Sequence, residues 1–115
     1  MGDDYTRVIE RLSRVPGVRG AAVVDAHAGV PVVAELADAS EGAMIAALAA
    51  SLFRMSTRSG EAAGIGALET AQLEAEGGHV IVAGAGEMLL VAVADADAQL
   101  GMIRLEASRA AEELL

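Results

Sequence analysis

Cysteine and lysine are both missing from this 115-residue chain, and each absence removes a class of chemistry. Without cysteine there is no disulfide, no thiolate zinc site and no thiol nucleophile. All eight basic residues are arginines: Arg7, Arg11, Arg14, Arg19, Arg54, Arg58, Arg104 and Arg109. A Walker-type phosphate lysine and Schiff-base catalysis are therefore excluded. Aromatic residues are scarce, with Tyr5, Phe53 and no tryptophan. A surface that stacks bases or sugars is not to be expected from so few rings. No apolar run is long enough to span a bilayer, and Met1 to Arg14 lacks the apolar stretch of a secretory signal. The chain is read as cytoplasmic.

What is present is a hydrophobic content of 54%, a net charge of −9 and a pI near 4.5. The composition is that of a folded globular chain rather than a disordered one. A length of 115 residues corresponds to one domain, spanning 1–115. Its core has to be built from Ala, Val, Leu, Ile and Met. The acidic balance repels phosphate backbones and anionic lipid, so neither nucleic acid nor a membrane is an expected partner.

Tyr5, Val8, Ile9, Leu12 and Val15 recur at helical spacing, which predicts a first helix over 3–15 with Arg7, Arg11 and Arg14 on its solvated side. Pro16-Gly17 ends it. Val18 to Asp25 and Val30 to Leu36 read as two strands around the turn Ala26-His27-Ala28-Gly29, and Pro31 places the second at an edge or a bulge. Asp38 or Ser40 is positioned to cap a second helix, with Glu41 completing a capping box after Asp38. The helix runs to Ser59 or Ala63. Strands are then predicted over 64–76, 79–83 and 88–94, separated by Gly77-Gly78 and Gly84-Ala85-Gly86. Asp95 or Asp97 is positioned to cap a last helix, with Leu100, Ile103, Ala107, Ala110, Ala111 and Leu114 as its buried stripe.

The order is α-β-β-α-β-β-β-α. Short glycine turns imply antiparallel neighbours. Consecutive apolar positions in Val23-Val24, Val32-Val33, Val80-Ile81-Val82 and Met88 through Val93 imply that both sheet faces are covered. The expected fold is an α/β (α+β) layered sandwich, a five-stranded and mainly antiparallel sheet with helices on both faces.

Catalytic constellations are not found. His27 and His79 lie apart and share no ligand spacing with carboxylates, so no metal is expected. Glu87, Asp95 and Asp97 lack the glycine and terminal glutamate of a calcium loop. Gly64-Ile65-Gly66 and Gly84-Ala85-Gly86 do not complete a dinucleotide-binding loop. The serines sit in no nucleophile-elbow pattern. Neither an enzymatic activity nor a cofactor is expected.

The second helix carries the information. Met44, Ile45, Leu48, Leu52 and Met55 read as its core stripe, yet the opposite side carries Ala43, Ala46, Ala50, Phe53 and Thr57. There is no charge between Gly42 and Phe53. A helix apolar all round is buried all round, so its far side needs a second molecule.

The run Val15-Pro16-Gly17-Val18-Arg19-Gly20-Ala21-Ala22-Val23-Val24-Asp25, followed by Gly29-Val30-Pro31-Val32, resembles the opening of Roadblock dynein-light-chain domains. Leu100 to Leu105 before Ala110-Ala111 resembles the last helix of their bacterial, MglB-like members, and the predicted element order matches from Tyr5 to Leu114. The resemblance implies a Roadblock/profilin-like fold and a homodimer whose second helices and third strands meet across a two-fold axis. Carried onto this sequence, it places Ala46, Ala49, Ala50 and Phe53 on the helix side of that interface and Leu68, Thr70 and Gln72 on the strand side. It also implies a Ras-like small GTPase docked over the paired helices, with Arg54, Thr57 and Arg58 as the residues in reach. The chain ends soon after the predicted last helix, so no role of a C-terminal extension is expected. The competing expectation is a ligand-sensing domain of PAS or GAF type, disfavoured by the scarcity of aromatics and of convergent polar groups.

Overall fold

A computed structural model of the chain describes residues 2–36, 39–67 and 69–115. The elements are α1 (Gly2–Ser13), β1 (Val18–Asp25), β2 (Pro31–Glu35), α2 (Ala39–Ala62), β3 (Thr70–Ala75), β4 (Gly78–Ala85), β5 (Met88–Asp95) and α3 (Leu100–Glu113), in the order the sequence predicts. The strands form one antiparallel sheet ordered β2-β1-β5-β4-β3, so that β2 and β3 are its two edges. The pairing of β1 with β2 shifts register between Val23 and Val24, where Val24 meets Pro31. Proline has no donor for the ladder, and an edge strand tolerates that.

The strands alternate, and each face has its own helices. Ile9 and Leu12 of α1 and Ile103, Ala107 and Ala110 of α3 bury against Ala21, Val23, Ile81, Leu90 and Ala92. Arg11 pairs with Glu113, joining α1 to α3 at the surface. On the opposite face α2 alone covers Ala22, Val24, Val82, Leu89 and Val91. The stripe predicted for α3 is the one that packs.

Three local expectations are corrected. The strand predicted over 64–76 begins only at Thr70, because Gly64 and Gly66 adopt φ of +77° and +88° and break the extended run. The turn predicted at Gly84-Ala85-Gly86 moves along the chain, since β4 extends through Ala85 and β5 begins at Met88. Gln99 rather than Asp95 or Asp97 occupies the cap position of α3, without a side-chain capping bond. Asp95 instead faces Arg19 at 3.5 Å. Asp38 lies outside the described residues.

Candidate functional site

On the face covered by α2, the sheet presents three cross-strand rows. Val24, Leu89 and Gly84 form one; Ala22, Val91, Val82 and Ala71 the next; Gly20, Val93, Val80 and Leu73 the third. The helix crosses the first two. Ala46, Ala49 and Ala50 are at most 1% exposed against them, and the half-buried Phe53 packs with them. The third row stays largely open, with Val93 and Val80 half-buried and Leu73 exposed.

This inverts the expected orientation of α2. Ala46, Ala49, Ala50 and Phe53 face their own sheet, whereas Met44, Leu48 and Met55 are 73%, 50% and 63% exposed. The physical reason is volume. The sheet surface below the helix is already filled by valine and leucine side chains, so only small residues let the helix backbone come close enough to pack without voids. The larger methionines and leucine are left outside. Ala46, Ala49 and Ala50, expected on the outward side, are thus buried against the chain's own sheet.

Thr57 is half-buried, with its Oγ1 shielded from solvent and without a hydrogen-bond partner among the described residues. Arg54 is exposed, but its Nη1 donates to the Ala26 carbonyl at 3.1 Å and ties α2 to the β1–β2 turn. Arg58 is exposed and forms no ion pair among the described residues. Thr70 and Gln72 are exposed on β3, whose outer edge is unpaired within the chain. Leu68 lies outside the described residues.

The same turn holds Asp25, whose Oδ1 accepts from the backbone N–H groups of His27 and Ala28, each at 2.9 Å. Those bonds, that from Ala28 foremost, hold its carboxyl below the usual carboxylate range. His79 is 8% exposed, with Nε2 3.3 Å from the Ala96 carbonyl oxygen and a shielded Nδ1 that has no partner among the described residues. Among the described residues no three His, Cys, Asp or Glu side chains are grouped to hold a metal, and no helix is long and apolar enough to cross a membrane. Sequence reasoning missed the outward Met44, Leu48 and Met55, and Arg19 beside the open row; the hydrophobic pattern around α2 contained the first three but assigned them inward.

The chain is a layered α/β domain with an exposed apolar helix flank and, among the described residues, an unpaired sheet edge at β3. The family model of the Roadblock/LC7 domain matches residues 5–94, and this chain belongs to that family. The uncharacterized protein MJ1340 of Methanocaldococcus jannaschii is 32% identical over 108 residues, covering 94% of each chain. Among solved structures, MglB in a tetrameric arrangement is 30% identical with a TM-score of 0.85, over 99% of this chain and 89% of that one. The gliding protein MglB of Thermus thermophilus is 26% identical with a TM-score of 0.85, over 97% and 86%. The fold and the MglB-like resemblance expected from the sequence are both found.

Proposed function

We propose that this protein is a non-catalytic, homodimeric regulator or scaffold that docks a Ras-like small GTPase. Membership of the Roadblock/LC7 family and likeness to MglB support a GTPase-associated regulatory role at the level of the family. The observation that carries the reading for this chain is the outward face of α2. Met44, Leu48 and Met55 form an exposed apolar ridge along α2, and the outer edge of β3 is unpaired among the described residues. Exposed patches of that kind mark association surfaces, and an unpaired edge invites a second strand.

In this reading the strand side of the dimer keeps Thr70 and Gln72, while the helix side passes from the buried alanines to Leu48, Leu52 and their outward neighbours. Arg58, at the later end of α2, forms no ion pair among the described residues, whereas Arg54 acts through the turn it holds. The test is calorimetric titration of the protein with the Ras-like GTPase encoded in the same genome, loaded in turn with GDP and with a non-hydrolysable GTP analogue. Saturable binding that Arg58→Glu weakens about tenfold supports docking over α2. Absence of binding in both nucleotide states removes the GTPase from the account.

A further inference from the structure

Ile65, in the α2–β3 connection, is 78% exposed. It is nonetheless held in place: its backbone N–H donates to the Gly60 carbonyl at 3.0 Å, and Gly64 and Gly66 bracket it in left-handed conformations. An apolar side chain fixed at a tip and left uncovered among the described residues is half of a contact. The other half lies on the open row of the sheet. There Leu73, Val80 and Val93 line a groove of about 240 Å³ that runs out to the free edge of β3, with Arg19 at its inner end.

We infer that Ile65 of one copy seats in the Leu73–Val80–Val93 groove of a second copy. The inference rests on the proposed pairing of β3 edges. A two-fold axis perpendicular to the sheet sets the Thr70 end of one β3 beside the Ala75 end of the other and keeps both α2 helices on one side. Within a chain, Ile65 precedes the Thr70 end of β3, while Leu73, Val80 and Val93 lie toward the Ala75 end. The axis therefore brings the Ile65 tip of each copy over the open row of the other. Helix length agrees: α2 has 24 residues, about 36 Å at the α-helical rise, whereas five strands span roughly 19 Å across. Such a helix crosses the sheet obliquely, with Phe53 over Gly84 of β4 and its C-terminal end leading into the connection to β3.

The absence of native cysteine makes the test direct. Ile65→Cys with Leu73→Cys in one chain is oxidised with copper-phenanthroline, and Gln72→Cys, which lies near the axis, reports edge pairing separately. An interchain disulfide between positions 65 and 73, located by mass spectrometry, supports the seat. Cross-linking at 72 without any at 65 and 73 leaves the dimer standing and overturns the seat. No interchain bond in either variant, together with a monomeric mass in light scattering, overturns both. Because Ile65 is exposed in the single chain, Ile65→Asp keeps the fold, yet it raises the dimer dissociation constant at least about tenfold while Ile65→Val stays within about threefold. Equal dissociation constants for the two variants also overturn the seat.

Discussion

The ring of Phe53 occupies the space that a side chain on Gly84 would need: a Cβ built on Gly84 stands 2.8 Å from Cζ of Phe53. Glycine in a central strand forgoes packing and adds backbone entropy, so its presence here calls for a close approach. Gly84→Ala is expected to push the ring off the sheet and lower stability by about 1–3 kcal/mol. Denaturant unfolding gives the figure. A midpoint equal to that of the parent shows that Phe53 has room to move aside, and that this contact does not position α2.

The two faces of α2 respond in opposite ways. Ala49→Leu, at a position 1% exposed, inserts volume between helix and sheet and is expected to cost about 1–3 kcal/mol in thermal or denaturant unfolding. Leu48→Asp, on the exposed ridge, leaves the far-ultraviolet circular dichroism spectrum of the chain unchanged. Loss of the helical signal in Leu48→Asp with a tolerant position 49 reverses the orientation of the helix.

Asp25 links the β1–β2 turn to pH. The backbone N–H groups of Ala28 and His27 hold its carboxyl below the usual carboxylate range in the folded chain. A depressed folded value means that its contribution to stability is complete above the carboxylate range of the unfolded chain. That contribution is lost as pH falls through the lower folded value. Glu113, held down by its hydrogen bond to Arg11, adds in the same sense. Stability is therefore expected to decline on acidification below about pH 4, and Asp25→Asn flattens part of the decline. A carboxyl resonance of Asp25 titrating at or above the ordinary aspartate value in NMR contradicts the turn geometry.

Much of this fold was legible because its signals are local. The stripe of Ile103, Ala107, Ala110 and Ala111 follows from spacing alone, and the glycine turns announce the antiparallel strands. The orientation of α2 was not legible for a physical reason. Both of its sides are apolar, so periodicity marks two candidate faces, and the choice between them depends on the height of the sheet surface below. That height is set by Val24, Val82, Leu89 and Val91, which come from three separate strands. Likewise, the spacing of Arg54 and Arg58 places both late in one helix but cannot tell that Arg54 is engaged by the Ala26 carbonyl. The open Leu73–Val80–Val93 row was invisible for the same reason, since it exists only after three strands are in register.

Self-association through the outward face of α2 and the edge of β3 is the claim on which the rest depends. Multi-angle light scattering of the parent protein and of Leu48→Asp, each followed from about 1 to 100 μM, measures it directly. The account predicts a parent mass of twice 11.6 kDa across most of that range, and a variant that falls to the single-chain mass with its fold intact. A parent protein that remains at 11.6 kDa at the highest concentration contradicts it.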